Sequence, residues 1–174
     1  MKIFKILLFS LLFHNLYAQS LPEFKLIDLN GNLLSKEDLK GKNVYINIFE
    51  SWCGACITEV PILNETQKNL KDVMFVALTP ANHKKAQNFQ KKYGFNMQVF
   101  PNADVFCKQL NIKHYPTHFF IDKNGKLSEI KFSISVTWKR KDYENEKPPK
   151  AVFEQLIFEQ NKTKLEDELR LFLQ

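Results

Sequence analysis

Cys53 and Cys56 are two of the chain's three cysteines, and two small residues separate them in FESWCGACITEVP, residues 49–61. Cysteines at this spacing form structural disulfides, bind metal ions or exchange disulfides with other thiols. A structural disulfide is the weakest of these interpretations, because closing so short a loop adds little stability. The choice therefore lies between a metal site and redox chemistry.

A metal site would need further ligands, since a structural zinc site normally combines two ligand pairs of similar spacing. Four other Cys and His residues follow residue 20: His83, Cys107, His114 and His118. None of them repeats the two-residue spacing of Cys53 and Cys56, so we expect a site without a metal or other cofactor. Thiolates do select soft metal ions, and a copper(I) chaperone using Cys53 and Cys56 stays open as an alternative.

The flanking segments indicate which cysteine attacks. NVYINIF, residues 43–49, is β-branched and aromatic with apolar residues on both faces, which predicts a buried central strand. A helical period follows from about Gly54 to Leu70, so Cys53 would lie at a helix N-terminus. Backbone donors and the macrodipole stabilise an anion there, and thiols so placed titrate between about 3.5 and 7.5. Cys53 is therefore predicted to attack as a thiolate.

Cys56 lies one helical turn further on, where it can close a ring with Cys53. Cys53 would attack a substrate disulfide, and Cys56 would resolve the mixed disulfide and release the reduced substrate. The reverse sequence oxidises a dithiol. The redox potential decides the direction, and both directions stay open here.

The remaining elements predict one α/β domain with parallel strands and an antiparallel edge. Alternating residues flank Asn30-Gly31 and Asn124-Gly125, which predicts two β-hairpin turns. Strands are predicted at 73–78 and 97–100, and helices at 82–94, 103–110, 151–160 and 164–173.

Three local features are predicted within these elements. Ser35 is expected to cap a short helical turn at 35–39. Pro61 is expected to kink the helix that follows Cys53. The charged stretch 137–150, which ends in Pro148-Pro149, predicts an exposed loop.

The first twenty residues have the layout of a secretory signal peptide. Lys2 and Lys5 precede an apolar run, and Ala18 precedes the expected cleavage site. The run is shorter than the roughly 20 residues of a membrane-spanning helix. We expect residues 1–18 to be removed, leaving a soluble domain at 19–174 in the periplasm or otherwise exported.

The charge distribution argues against nucleic-acid binding. The formal net charge is +6, and removing Lys2 and Lys5 would leave +4. The remaining lysines are scattered along the chain, whereas nucleic-acid-binding proteins concentrate them in a stripe or patch.

YINIFESWCGACITEVP resembles the active-site strand, loop and helix of the thioredoxin superfamily, specifically its exported TlpA- and ResA-type thiol-disulfide oxidoreductases. Trp52 and Pro61 stand where that family has a tryptophan and a helix-kinking proline. YPT around Pro116 matches its cis-proline, and LPEFKLIDLNGNLLSKEDLKGK matches its N-terminal hairpin. The resemblance covers most of residues 21–131. It implies a thioredoxin-like fold with a central mixed sheet flanked by helices, an N-terminal hairpin and a central strand-helix insertion.

The resemblance also implies site roles. Trp52, Tyr115 and Pro116 would contact the substrate, with the Tyr115 backbone pairing to an extended segment. Glu59 stands where ResA-like proteins carry a functional glutamate, one turn after Cys56, and would accept the proton of the resolving thiol. Thioredoxins use a buried strand aspartate instead, at the place of Asn47, which does not titrate.

Some residues depart from the pattern or lie outside it. Gly54-Ala55 replaces a dipeptide that often contains proline in the family and that helps to set the potential. Glu50 replaces a small residue, and its charge would either disfavour the Cys53 thiolate or point to solvent. It also occupies the place where peroxiredoxins need Thr or Ser, which argues against a peroxidase. Cys107 lies among apolar residues and is expected to be a buried, inert thiol.

The function implied is an exported thiol-disulfide oxidoreductase, by preference a reductase. Its expected partners are exported thiol or disulfide proteins, with apocytochrome c among the candidates, and a membrane electron donor that re-reduces the dithiol.

Overall fold

The computed structural model describes residues 21–133 and 150–174. In chain order the elements are β1 (Lys25–Ile27), β2 (Leu33–Ser35), β3 (Asn43–Ile48), α1 (Gly54–Asn69), β4 (Val73–Leu78), α2 (His83–Tyr93), β5 (Gln98–Phe100), α3 (Asp104–Gln109), β6 (Thr117–Ile121), β7 (Leu127–Ile130) and α4 (Lys150–Leu171). The predicted signal peptide at 1–18 and residues 137–149 of the predicted loop lie outside the described residues.

The central sheet has the strand order β5-β4-β3-β6-β7. β3 pairs parallel with β4, and β4 pairs parallel with β5. β6 and β7 continue the sheet antiparallel on the other side of β3. The predicted mixed sheet is therefore confirmed, and β3 is central because both of its faces are apolar and covered.

Alternate residues of β3 supply the two halves of the core. Val44, Ile46 and Ile48 are fully buried on the face that the hairpin β1–β2 and α3 cover. Tyr45 is fully buried on the opposite face, against α1, α2 and α4. This period of two follows from the strand geometry. Because of this alternation, Tyr45 and Asn47 lie on the face of β3 that is covered by α1, the helix that begins at the cysteines.

Both predicted hairpins are confirmed, and each is closed by a loop of five residues that contains the Asn-Gly dipeptide. The loops span 28–32 and 122–126, between the paired ends Ile27–Leu33 and Ile121–Leu127. Gly31 and Gly125 have positive φ angles of 88° and 80°, which favours glycine at these positions. The dipeptides thus mark both turns correctly.

An aspartate at the start of each loop accepts backbone N–H groups of that loop. Asp28 Oδ1 accepts the N–H groups of Asn30 and Asn32 at 2.8 and 2.7 Å. Asp122 Oδ1 accepts those of Asn124 and Lys126, both at 2.9 Å. A side chain that binds backbone donors in this way replaces the hydrogen bonds of a tighter turn.

Asp28 does more than its counterpart Asp122, because it is buried and joins the hairpin to the sheet. Its Oδ2 accepts the side-chain amides of Asn32 at 2.9 Å and Gln98 at 2.8 Å. Burial alone raises the pKa of Asp28, but hydrogen bonds from Asn32, Gln98 and Asn30 outweigh it and hold the pKa below its usual value. The ionised carboxylate is therefore the form that the fold stabilises.

We expect Asp28→Ala to lower the free energy of unfolding by about 3 kcal/mol, since leaving buried donors without their partner costs about 1–3 kcal/mol. The matched variant Asp122→Ala loses only the bonds within its exposed loop and should cost about 1 kcal/mol. Denaturant unfolding measures both, and equal losses would contradict the distinction.

The same carboxylate predicts an acid dependence of stability. A depressed folded pKa gives stability that is complete above the unfolded pKa, about 3.9 for aspartate, and that is lost as pH falls through the folded value. The wild type should therefore converge with Asp28→Ala below that range.

Two local predictions are wrong. Ser35 does not cap the helical turn at Glu37–Leu39; its N–H and hydroxyl instead donate to Asp38 Oδ2 at 2.7 and 2.6 Å. The helices predicted at 151–160 and 164–173 form the single helix α4. Within the polar interruption, the buried Asn161 side chain donates to the Ile157 carbonyl at 2.7 Å.

Candidate active site

Cys53 and Cys56 form a disulfide at the N-terminus of α1, as the spacing predicted. Cys53 is the N-cap residue, and its Sγ accepts the backbone N–H of Cys56 at 3.1 Å. When the disulfide is reduced, the same N–H and the positive end of the helix would face a Cys53 thiolate. This geometry supports Cys53 as the attacking sulfur.

The segment before β6 lies against the disulfide from the other side. The Tyr115–Pro116 peptide bond is cis, as predicted. The carbonyl oxygen of Tyr115 lies 3.5 Å from Cys53 Sγ. The loop before β6 thus reaches the Cys53 sulfur, which follows β3 in the chain. The pairing of β3 with β6 brings these segments together, although almost 70 residues separate the two strands.

Trp52 and Tyr115 form an aromatic flank beside the disulfide. Their rings meet edge to face, with centroids 6.2 Å apart and planes at 84°. The Trp52 side chain is 74% exposed although it is large and apolar. An exposed aromatic residue next to a reactive sulfur is suited to contact another protein.

Glu59 is buried in α1, with an exposed fraction of only 1%. Its Oε2 lies 3.4 Å from Nε2 of His118, a β6 residue that is equally buried. The two atoms are in contact, but the orientation gives no hydrogen bond, and neither has another partner among the described residues. A buried polar atom left in this state costs about 1–3 kcal/mol, so the pair needs a functional explanation.

Two residues of β3 hold the other nitrogen of His118. Nδ1 lies 2.7 Å from the Tyr45 hydroxyl and 3.4 Å from Asn47 Nδ2. Because an amide nitrogen only donates, we assign Nδ1 as the acceptor and place the ring N–H on Nε2, beside Glu59. Burial raises the pKa of Tyr45 well above its usual value, and the Glu59 charge adds to this. Tyr45 is therefore a neutral hydroxyl donor.

A cavity of about 670 Å³ opens beside these residues. Glu59, Ala55 and Pro61 of α1 line one wall, Tyr115 and Pro116 line a second, and α4 contributes Ile157 and Phe158. Glu59 lines this cavity although only 1% of its surface is exposed.

Pro61 lies inside α1, and the helix continues past it to Asn69. Of the α1 residues expected on the inner face, Val60, Leu63 and Thr66 are buried, while Ile57 is only half-buried. Glu59 is buried as well, which an amphipathic pattern does not predict for a carboxylate.

Glu50 lies at the other end of the active-site loop. It is half-buried, and its carboxylate accepts the N–H of Ser51 at 3.0 Å while its carbonyl accepts that of Cys53 at 3.1 Å. Its charge acts on Tyr115 and Cys107.

Cys107 is a free, buried thiol in α3, as predicted. Burial raises its pKa to about 12, and the charges of Asp104 and Glu50 add to the effect. The thiol is therefore protonated at neutral pH, and only thiolates react as nucleophiles.

We expect iodoacetamide to label the reduced, folded protein at Cys53 and to spare Cys107. Peptide mass spectrometry near neutral pH measures this, and unfolding in denaturant should expose Cys107 to the reagent. Labelling of both cysteines at similar rates in the folded protein would contradict it.

Two searches of the described ranges 21–133 and 150–174 were negative. No group of three or more His, Cys, Asp and Glu side chains is placed to hold a metal ion. No helix in these ranges is both long and apolar enough to cross a membrane.

Comparison with known proteins agrees with this site. The family model described as Redoxin matches residues 17–146. The chain belongs to the Redoxin family. The predicted resemblance to ResA-type proteins is also confirmed, because relatives named ResA match the chain.

Two of these relatives are thiol-disulfide oxidoreductases named ResA. The protein of Bacillus subtilis (strain 168) is 34% identical over 113 residues, which is 63% of each chain. The protein of Geobacillus kaustophilus (strain HTA426) is 32% identical over 127 residues, which is 71% of each chain. The match thus spans less than two thirds of the Bacillus protein.

A solved structure shows the same fold. It is a secreted Mycobacterium tuberculosis disulfide oxidoreductase described as homologous to Escherichia coli DsbE. The TM-score is 0.63 at 19% identity, over 85% of this chain and 95% of that one. The thioredoxin-like fold class predicted for this Redoxin-family chain is therefore confirmed.

The sequence interpretation of this Redoxin-family site missed His118 and Tyr45. His118 was considered only as a metal ligand, and Tyr45 only as part of a buried strand. The available signal was the position of His118 two residues after Pro116, on a strand predicted to begin beside the cysteines. The antiparallel register that sets His118 opposite Asn47 depends on the tertiary structure.

Proposed function

We propose that this protein is an exported thiol-disulfide oxidoreductase that acts mainly as a reductase of protein disulfides. The observation that carries the proposal is the position of Cys53 as the N-cap of α1, with its sulfur accepting the N–H of Cys56. A thiolate is stabilised there, and Cys56 is close enough to close the disulfide. The ResA relatives support the same activity.

The reaction begins with the reduced dithiol. The Cys53 thiolate attacks one sulfur of a substrate disulfide, a mixed disulfide forms, and the other substrate sulfur leaves as a thiolate. Cys56 then loses its proton to Glu59 and attacks Cys53, so that the Cys53–Cys56 bond forms and the second substrate sulfur leaves. The substrate gains two electrons, and the protein dithiol is oxidised.

Trp52, Tyr115 and Pro116 bind the substrate segment in this proposal. Trp52 offers an exposed ring, and the Tyr115 carbonyl already lies 3.5 Å from the attacking sulfur. Pro116 lines the adjoining cavity. Together they give an extended peptide an apolar surface and a backbone acceptor next to Cys53.

Export and partners follow from two lines of support. The layout of residues 1–18 is that of a signal peptide, and the Mycobacterium tuberculosis protein with the same fold is described as secreted. The substrates are then exported proteins with thiols or disulfides, with apocytochrome c as one candidate. A membrane electron donor re-reduces the dithiol.

The test combines activity with trapping. The purified protein should accelerate dithiothreitol-dependent reduction of insulin. A Cys56→Ser variant, produced in cells, should retain its partner as a mixed disulfide on Cys53 that mass spectrometry identifies. Stoichiometric copper(I) binding without insulin reduction would overturn the proposal and favour the copper chaperone.

A further inference from the structure

We propose that His118 positions Glu59 for the resolving step, by presenting its Nε2–H to Oε2 of the carboxylate. The inference rests on the proposed function, in which Glu59 accepts the Cys56 proton. It adds a residue on β6 to a reaction otherwise assigned to α1 and to the loops on either side of the disulfide.

The first support is the placement of two polar atoms that have no other partner. Oε2 of Glu59 and Nε2 of His118 lie 3.4 Å apart, and both residues are about 1% exposed. Neither atom has a hydrogen bond among the described residues. A reorientation of the pair together with a shift of about 0.5 Å would bring them to hydrogen-bonding geometry, near 2.9 Å. Such a movement satisfies both atoms at once.

The second support is the direction of the imidazole. Asn47 Nδ2 and the Tyr45 hydroxyl both approach Nδ1, which fixes Nδ1 as the acceptor and leaves the proton on Nε2. Because β3 and β6 pair with Asn47 opposite His118, the sheet holds the ring in this orientation. The Nε2 edge of the ring therefore lies beside Glu59, 3.4 Å from its Oε2, before any reaction begins.

Other groups around the pair do not replace this donor. Tyr45 on β3 contacts the other side of the ring, and Phe132, after β7, packs edge-on to it at 5.4 Å. The Nζ atom of Lys164, on α4, lies over the ring of Phe132, 5.7 Å from its centroid. It donates to the Ser133 carbonyl at 3.4 Å. Glu154 of α4 lines the same cavity as Glu59.

The resolving step needs no oxidant or reductant beyond the two cysteines and the substrate sulfur. The proton of Cys56 passes to Glu59, and the Cys56 sulfur attacks Cys53 in the mixed disulfide. The Cys53–Cys56 bond forms, and the bond from Cys53 to the substrate sulfur breaks. The substrate sulfur leaves as a thiolate with the electron pair. His118 transfers no proton; it keeps Oε2 hydrogen-bonded so that the carboxylate stays oriented toward Cys56.

The test uses the reduced full chain and a chromogenic aromatic disulfide that releases a coloured thiolate. Cys53 releases the first thiolate and Cys56 the second, so stopped-flow absorbance separates attack from resolution. We expect His118→Leu to leave the first phase unchanged and to slow the second about tenfold, part of the 10²–10⁴-fold that a proton-transfer group supplies. The pH profile of the second phase should change as well.

A double-mutant comparison assigns the effect to Glu59. If His118 acts through Glu59, His118→Leu should add nothing in a Glu59→Gln background. His118→Gln keeps an N–H donor and should restore most of the second-phase rate; it also serves if the leucine variant does not fold. His83→Leu, at the exposed start of α2, is the matched control and should behave as wild type.

The outcomes separate the inference from the function on which it rests. A slow second phase in Glu59→Gln together with a wild-type second phase in His118→Leu would overturn the inference alone. A full His118→Leu effect in the Glu59→Gln background would also overturn it. An unchanged second phase in Glu59→Gln would remove the role of Glu59 itself, and a missing first phase in the wild type would overturn the proposed function.

Discussion

Cys53→Ser is expected to lower the rate of insulin reduction about 10³-fold or more, to the level of dithiothreitol alone. Removing a nucleophile from a catalytic group that acts as a unit costs nearly the whole rate enhancement. The serine hydroxyl at the helix N-terminus does not ionise near neutral pH and forms no disulfide. The turbidity of precipitating insulin measures the rate.

Two variants make this result specific. Cys107→Ala removes the third cysteine, which is buried in α3, and should retain wild-type activity. Cys56→Ser should also lose catalytic turnover but still form the mixed disulfide, because Cys53 remains. Residual turnover in Cys53→Ser that disappears with Cys107→Ala would show that Cys107, and not Cys53, is the reactive thiol.

Glu59→Gln is expected to slow the release of the second coloured thiolate about 10²-fold at neutral pH, since a positioned base contributes about 10²–10⁴-fold. The first release should be unchanged, because the Cys53 thiolate is stabilised by the helix and not by Glu59. Without the carboxylate, only the small thiolate fraction of Cys56 attacks. The rate in the variant should therefore rise about tenfold per pH unit until that thiol is ionised.

The melting temperature of Glu59→Gln distinguishes a loss of the proton acceptor from damage to the fold. An enclosed carboxylate is costly to bury, so its neutral amide should leave the melting temperature equal or higher. Glu65→Gln, on the same helix but in a surface pair with Lys68, is the matched control and should keep both phases. A second phase as fast and as pH-dependent as wild type in Glu59→Gln would exclude Glu59 as the proton acceptor.

Local patterns were sufficient for most of the fold. The β-branched run before the cysteines predicted β3, and the asparagine and glycine around 83–93 predicted both ends of α2, which Asn82 and Gly94 do cap. Patterns did not predict where a side chain replaces the usual backbone bond. The Asp28 and Asp122 carboxylates accept backbone N–H groups within the five-residue hairpin loops. The Asn161 side chain donates to a backbone carbonyl within α4, at a polar stretch that resembles a break.

The sequence by itself determined the cysteine pair at the helix N-terminus and predicted its order of reaction, because Cys53, Cys56 and the helix N-terminus are neighbours in the chain and local geometry joins them. Only the tertiary structure decided what surrounds Glu59. Its contact with His118 links α1 to β6 across 59 residues of sequence, and the orientation of that histidine depends on the register between β3 and β6. Contacts of this kind arise from how strands pair and helices pack, and neither spacing nor periodicity encodes them.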